Sequence, residues 1–179
     1  MEEKKEIRRI VRQRIKEMTP EYRDAAAVAI FRNIEQSHTF DEAHCIALFA
    51  AMNDEVATSA ALLRWCEMGK RVVVPRVEGD IMRFYDYDPA QMTIGAFGIE
   101  EPTSEVEVMP EAIDLMIVPA RAFTRESIRL GRGGGFYDKY MSQPTFRAYK
   151  IGIAYACQIF DSLPHDPHDI AVNTVVTEK

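Results

Sequence analysis

Short apolar runs alternate with helix-like segments along this chain, and this alternation restricts the possible folds more than any other feature of the sequence. Four runs are almost continuously apolar, as strands buried on both faces are, and they cover residues 44–49, 71–75, 115–119 and 151–155. Because strands that alternate with helices form parallel sheets, the pattern predicts an α/β fold with a mostly parallel sheet and helices on both faces. Further strands are predicted at 82–87 and 171–177.

Ligands bind beyond the carboxyl ends of the strands in such a sheet. The loops after Phe49, Val74, Val118 and Tyr155 are therefore the expected positions of a functional site. The segments 95–102 and 120–128 are predicted to be irregular connections.

Helix boundaries can be predicted from local signals. Residues 3–18 carry apolar side chains at helical spacing. Thr19 is followed by proline and glutamate, which predicts an N-cap and a second helix that runs to about Gln36. Thr58 is predicted to cap a third helix, which Gly69 would end.

The length of 179 residues suits one compact domain that spans the chain. The formal net charge of −6 argues against a protein that coats nucleic acid, although a local basic pocket remains compatible with it. Cys45, Cys66 and Cys157 form no CxxC pair, which favours free thiols in a reducing compartment.

The segment from Glu2 to Arg14 is charged and lacks the apolar stretch of a signal peptide, and no apolar run approaches membrane-spanning length. We therefore expect a cytoplasmic protein without a nucleic-acid or membrane partner, as a monomer or a weak dimer.

The strongest chemical signal is a glycine-rich segment, Leu130–Asp138. Four of the chain's nine glycines fall within five of its positions, and glycine lets backbone N–H groups approach an anion closely. Arg129 and Arg132 would neutralise phosphate charge, a helix from Phe136 to about Ser142 would begin at the site, and Asp138 would hold hydrated Mg²⁺. The segment matches neither a P-loop nor a dinucleotide fingerprint. The alternative is a flexible surface turn, which would require neither the two arginines nor the aromatic pair.

Three weaker features each allow more than one interpretation. Lys4, Arg8 and Arg12 share one helical face, which is either a solvated surface or a route to polyphosphate. Asp54-Glu55 follows a strand and would cap a helix, bind a metal or pair with ring N–H groups of a ligand. The segment 164–169 holds two histidines and two aspartates; a polar turn is favoured for the histidines, whereas Asp169 is a candidate metal ligand.

Together and in this order, these features resemble the 5-formyltetrahydrofolate cyclo-ligase family, also called methenyltetrahydrofolate synthetases. The family's Lys-x-x-x-Arg start matches residues 4–8, its Glu-Val-x-Thr element matches 55–58, and its Gly-Ile-x-Glu-Pro-like stretch matches 98–102. A late His-Asp-x-x-Val element matches 168–172. The most specific motif, Arg-Leu-Gly-[Tyr/Arg]-Gly-x-Gly-[Tyr/Phe]-Tyr-Asp, matches Arg129–Asp138 without a gap.

The resemblance implies a three-layer α/β/α, Rossmann-like fold similar to that of sugar-phosphate isomerases and CoA-transferases. It implies the conversion of 5-formyltetrahydrofolate and ATP to 5,10-methenyltetrahydrofolate, ADP and phosphate, with Mg²⁺. The formyl oxygen is a poor leaving group, so it would first be phosphorylated. Phosphoryl transfer depends on positioning and charge neutralisation more than on a protein nucleophile.

The resemblance also assigns roles to individual residues. Arg132 and Lys4 would be catalytic, and Asp138 and Asp169 would hold Mg²⁺. The ATP-binding set would comprise Lys4, Lys5, Arg8, Arg129, Leu130, Gly131, Arg132, Gly133, Gly134, Gly135, Phe136 and Tyr137. The folate-binding set would comprise Arg8, Ala50, Glu55, Arg132, Gly133, Gly134, Gly135 and Phe136.

The chain departs from the family pattern just before the signature. Pro-Gly-Leu-Ala-Phe-Asp is usual there, whereas this chain has Ala120, Arg121 and Thr124 at the second, third and sixth positions. Asn173 stands where the family commonly has aspartate. These changes leave open a paralogue that binds folate or nucleotide without turnover. A third interpretation, in which the first helix docks nucleic acid or an acidic partner, is disfavoured by the net acidic charge.

Overall fold

A computed structural model describes residues 1–179, except for the side chain of Ala96. Within this part of the chain, the main sheet has seven strands in the order β12-β10-β7-β1-β2-β3-β6. The strands are β1 (Cys45–Ala47), β2 (Arg71–Glu78), β3 (Ile81–Asp86), β4 (Met92–Ile94), β5 (Glu100–Pro102), β6 (Glu107–Val108), β7 (Leu115–Val118), β8 (Ala122–Thr124), β9 (Arg129–Leu130), β10 (Tyr149–Ile153), β11 (Ile159–Phe160) and β12 (Thr174–Val176). The helices are α1 (Glu2–Lys16), α2 (Pro20–Glu35), α3 (His38–Glu42), α4 (Ser59–Glu67) and α5 (Phe136–Met141).

The sheet is mostly parallel, as predicted. Strands β12, β10, β7, β1 and β2 run parallel to their neighbours, and β1 pairs with β2 in the register Ile46↔Val72. Strand β3 returns antiparallel along β2, and β6 pairs antiparallel with β3 at the edge. Two small sheets lie outside the main one: β11-β8-β9 and the antiparallel pair β4-β5.

Side chains that alternate along the central strands build a separate core on each face of the sheet. Ile46 of β1 and Leu115 of β7 belong to the core that packs against α1, α2 and α4, whereas Ala47 and Met116 belong to the opposite core. The second core is closed by α5 through Tyr140, together with the connections around it. This gives the three layers that the resemblance implied, with a thinner second layer of helix.

The N-terminal helices form for the reasons that the sequence suggested. The apolar stripe of α1 is buried against the sheet, and the Thr19 hydroxyl accepts a hydrogen bond from the Tyr22 N–H at 3.1 Å, which caps α2. Gly69 ends the α4 segment with a φ of +87°, a left-handed conformation that favours glycine.

Three local predictions were wrong. Thr58 precedes α4, but its buried hydroxyl donates to the Phe49 carbonyl at 2.6 Å and accepts from the Ala51 N–H at 3.0 Å, so it organises the loop after β1 instead of capping the helix. The segment 120–128 contains strand β8, and 95–102 contains part of the β4-β5 pair. The short helix α3 was not predicted, because five residues give too little periodicity.

Among the residues that the structure describes, none of the helices combines the length and the apolar character needed to span a membrane.

Candidate active site

A cavity of about 600 Å³ lies beyond the C-terminal ends of β1 and β7, where a parallel sheet is expected to bind its ligand. Its wall includes the N-terminal turns of α1, the loop after β1, the end of β7, the glycine-rich segment and the loop before β12. All ten residues of Arg129–Asp138 line it. The segment predicted to bind phosphate therefore faces a space large enough for a ligand.

The glycine loop needs glycine at specific positions. Gly133 has a φ of +115° and Gly135 a φ of +72°, which side chains rarely adopt. A Cβ atom on Gly134 would come within 2.7 Å of the Phe136 ring. The helix that follows, α5, has only six residues, so its dipole is a minor contribution to anion binding. The N–H groups of the loop and the neighbouring cations would contribute more.

The buried side chain of Arg129 contacts residues on both sides of the glycine loop. Its side chain is 6% exposed, and its Nε donates to the Pro119 carbonyl at 2.9 Å. Its guanidinium lies 5.4 Å from the centre of the Tyr137 ring and 3.6 Å from an Asp138 carboxylate oxygen. Burial lowers the pKa of Arg129, but an arginine remains charged at neutral pH.

Helix α1 contributes two cations from far away in sequence. Arg8 Nε donates to the Gly131 carbonyl at 2.9 Å, which fixes the helix against the glycine loop. Lys4 Nζ lies 2.9 Å from Asp166 Oδ2 and 3.5 Å from Asp169 Oδ2. The hydrogen bond to Asp166 is the main reason that the pKa of Lys4 is raised.

Lys5 and Arg12 differ from these two cations. Both are exposed and lie outside the cavity wall, so the structure does not bring Lys5 to the predicted ATP-binding set. A one-residue step along a helix turns the side chain by about 100°, which separates Lys5 from Lys4.

Two predicted metal ligands, Asp138 and Asp169, line the cavity together. Asp138 Oδ1 accepts the Ile170 N–H at 2.9 Å, and Asp169 Oδ2 accepts the Asp166 N–H at 2.8 Å. Among the described residues, no group of three potential ligands forms an all-protein metal site. The arrangement nevertheless fits Mg²⁺ bound with a nucleotide, because Mg²⁺ usually takes one or two carboxylates and completes its shell with phosphate and water.

The cavity wall also includes a carboxylate that is almost fully buried, that of Glu55. Glu55 is 10% exposed, its Oε1 accepts the Met52 N–H at 2.8 Å, and its Oε2 lies 3.5 Å from Arg132 Nε. Burial raises the pKa of Glu55 above its usual 4.5 and outweighs the opposing effects of the Met52 hydrogen bond and Arg132. Ala50 lines the same region, so both residues predicted to meet the folate face the cavity.

The sequence did not reveal the partners of Arg132. Arg132 Nη2 donates to Asp54 Oδ1, and Arg121 Nη1 donates to Asp54 Oδ2 at 2.9 Å. Burial alone would raise the pKa of Asp54, but the Arg132 hydrogen bond and the Arg121 charge together lower it. Asp54 therefore stays ionised between two guanidinium groups.

Phe97 and Asp166 are among the cavity residues that the sequence did not predict. Phe97 is 64% exposed, has a φ of +64°, and places its ring 6.1 Å from that of Phe136. Asp166, which pairs with Lys4, was given no role of its own within the segment 164–169. His165 and His168 of that segment are exposed, and neither lines the cavity.

The departures from the family motif are accommodated by hydrogen bonds. The Thr124 hydroxyl oxygen accepts the Ile128 N–H at 3.1 Å, and Asn173 Oδ1 accepts the Lys150 N–H at 2.7 Å. The Ala120 carbonyl accepts from Gln158 Nε2 at 3.2 Å. These three residues therefore have structural partners without glycine or aspartate.

Comparison with known proteins points to one family. The family model described as "5-formyltetrahydrofolate cyclo-ligase family" matches residues 1–178. The chain belongs to the 5-formyltetrahydrofolate cyclo-ligase family. The 5-formyltetrahydrofolate cyclo-ligase of Escherichia coli K12 is 30% identical over 176 residues, which cover 94% of this chain and 96% of that protein. The mouse protein of the same name is 26% identical, with 98% and 93% covered.

A solved structure of a cyclo-ligase relative shares both fold and sequence with this chain. The Aquifex aeolicus 5,10-methenyltetrahydrofolate synthetase has a TM-score of 0.88 and 33% identity, and the match covers 98% of this chain and 90% of that one. A synthetase from Mycoplasma pneumoniae has a TM-score of 0.80 at 24% identity, which supports the fold alone. The cyclo-ligase signature, Arg129–Asp138, is thus the segment that lines the cavity throughout its length.

Proposed function

We propose that this protein converts 5-formyltetrahydrofolate and ATP to 5,10-methenyltetrahydrofolate, ADP and phosphate in the cavity described above. The observation that carries the proposal is the presence in one cavity of a glycine loop, three cations (Lys4, Arg8 and Arg132) and the nearly buried carboxylate of Glu55. Family membership supports the reaction. The arrangement of residues supports the roles below.

The cations of the cavity wall suit the polyphosphate of ATP. Lys4 and Arg8 reach the cavity from α1 and Arg132 reaches it from the glycine loop, whose glycines also line the cavity. In this proposal they hold the phosphates so that the γ-phosphorus faces the formyl oxygen. A phosphoryl group in transfer carries its charge on the peripheral oxygens, where such donors stabilise it.

The chemistry proceeds in two steps. The formyl oxygen attacks the γ-phosphorus, the bond to the β-phosphate bridging oxygen breaks, and ADP leaves. The folate N10 then attacks the activated formyl carbon, N10 loses its proton, and the C–O bond breaks to release phosphate. The protein supplies orientation and charge, so a catalytic serine or cysteine is unnecessary.

Glu55 is placed to orient the folate. Its buried carboxylate can accept N–H groups of the pterin ring, with Ala50 and Met52 beside it. Phe97 and Phe136 supply apolar surface for the rest of the ligand. Burial makes a carboxylate hydrogen bond stronger than it would be in water.

Mg²⁺ would be held by Asp138 and Asp169, and it would neutralise phosphate charge when bound. Asp138, Asp166 and Asp169 place three carboxylates at the end of the cavity that holds Lys4. Lys4 and Arg129 offset part of this negative charge, and a divalent ion would offset more of it when phosphates approach. This donor set supports a divalent ion that arrives with the nucleotide.

The direct test is a turnover assay with the purified protein. We expect the methenyl chromophore to appear only when 5-formyltetrahydrofolate, ATP and Mg²⁺ are all present, with one ADP formed per methenyl product. Folate or nucleotide binding by calorimetry, without product from folded protein, would instead identify a binding protein and contradict the proposal.

Asp138→Asn is expected to raise the Mg²⁺ concentration for half-maximal activity by about tenfold. The asparagine oxygen can still accept the Ile170 N–H, so the change removes charge and preserves shape. Mg²⁺ titration of the initial rate measures the effect. Asp41→Asn, on exposed α3 before β1, is the matched control, and an equal shift in both variants would exclude the assigned role.

Folate affinity is expected to fall as the pH is lowered. The carboxyl group of Glu55 accepts ring N–H groups more strongly when it is ionised than when it is protonated, and burial raises its pKa. The folate KM should therefore be lowest above this raised pKa and should increase as the pH falls through it. Glu55→Gln should have a high KM without this acidic limb, and an unchanged limb in that variant would assign it to another group.

A further inference from the structure

Arg121 is a buried cation that the proposed reaction leaves without a role. Its side chain is 4% exposed, and its Nη1 donates to Asp54 Oδ2 at 2.9 Å. Its Nη2 is buried and has no hydrogen-bond partner among the described residues. Buried donors are nearly always paired, so an unpaired guanidinium arm requires an explanation.

We propose that Arg121 is a positioning residue that takes over Asp54 when Arg132 moves from this carboxylate to the phosphates of ATP. The inference rests on the proposed function, because it gives Arg132 an anionic ligand. In the structure, Asp54 is shared: Arg132 holds Oδ1 and Arg121 holds Oδ2. When Arg132 leaves, the free Nη2 of Arg121 pairs with Oδ1 and completes a two-bond guanidinium–carboxylate pair.

The exchange has an energetic reason. Asp54 is 30% exposed, and a carboxylate that loses one of two charged partners becomes less stable. That loss would oppose the movement of Arg132 and weaken ATP binding. A second bond from Arg121 offsets it, since paired Arg–carboxylate bonds are among the stronger hydrogen bonds in proteins.

The backbone keeps Arg121 in place while Arg132 moves. The Arg121 N–H donates to the Leu130 carbonyl at 2.8 Å, and the Arg121 carbonyl accepts from Gln158 Nε2 at 3.0 Å. Arg132, in contrast, is 37% exposed and lies on the glycine loop. Arg121 is therefore held at its backbone and is buried outside the cavity wall, whereas Arg132 lines the cavity and is partly exposed.

The test is the affinity for a non-hydrolysable ATP analogue with Mg²⁺, measured by calorimetry, beside the KM for ATP. Arg121→Met is expected to lower the affinity for the analogue about tenfold and to raise the KM for ATP about tenfold. The reason is that Arg132 then remains the sole charged partner of Asp54. The folate KM should stay near the wild-type value. Arg121→Lys, which keeps the charge but lacks the second arm, should show a smaller loss and guards against a misfolded methionine variant.

A double variant separates positioning from simple support of the fold. In Arg121→Met/Asp54→Asn the carboxylate that holds Arg132 is neutral, so ATP affinity should return to within about threefold of wild type. Arg71→Met, which breaks the exposed Arg71–Asp86 pair, is the control and should leave ATP affinity unchanged.

Arg121 variants with a lower melting temperature but wild-type ATP affinity would overturn the inference. A double variant that binds ATP no more tightly than Arg121→Met would also overturn it. Analogue binding is measured without turnover. A wild-type protein that binds the analogue but forms no product would therefore contradict the proposed function without deciding the role of Arg121.

Discussion

Arg132→Ala is expected to lower kcat/KM for methenyltetrahydrofolate formation by about three orders of magnitude or more. Arginines that stabilise a transferring phosphoryl group contribute factors of about 10³ to 10⁵. The change should cost little stability, because the side chain is 37% exposed and Asp54 keeps its bond to Arg121. The measurement is steady-state kinetics at saturating Mg²⁺, with circular dichroism as the check on folding.

Arg32→Ala on α2 is the matched control, since Arg32 is exposed and lies outside the cavity wall. It should retain wild-type activity. A loss of less than tenfold in Arg132→Ala would mean that the charge of Arg132 is not used in the transition state, and the catalytic role would pass to Lys4 or Arg8.

Gly135→Ala is expected to lower activity by about a hundredfold, although a methyl group there meets no atom within 4 Å. The reason is the φ of +72°, which alanine adopts at a cost of about 1 kcal/mol. The loop is expected to relax towards a negative φ, and this turns its N–H groups away from the phosphates. Activity and urea unfolding of the variant give the two quantities.

Gly69→Ala provides a control with the same strain in another place. Gly69 has a φ of +87°, has equally open surroundings, and follows α4 away from the cavity wall. Both variants should lose a similar free energy of unfolding, but only Gly135→Ala should lose activity. Equal activities would show that the loop conformation is not needed for catalysis.

The parallel sheet and the position of the site could be predicted because both depend on local patterns. Apolar runs fixed the central strands, and the glycines with Arg129 and Arg132 indicated the cavity wall. The short strands β8 and β9 beside the glycines were not predicted, because two or three residues show too little periodicity for a strand to be recognised.

Contacts between distant residues could not be predicted in the same way. Thr58 matched a helix cap by its sequence context, yet its hydroxyl is engaged by Phe49 and Ala51 across the loop. Arg121 stood out as an unusual charge, but a single sequence does not reveal that Asp54 lies opposite it. The predicted ATP-binding set included Lys5 beside Lys4, but the turn of the helix separates their side chains.

The ties of α1 to the cavity have a consequence for how activity is acquired during folding. Lys4 reaches Asp166 across 162 positions of sequence, and Arg8 reaches Gly131 across 123. Contacts of such sequence separation form late, because the chain must close a large loop before they can stabilise it. The ability to bind nucleotide should therefore return in the last phase of refolding, after helix content has recovered. Bound ATP would then stabilise the packing of α1 against the rest of the molecule.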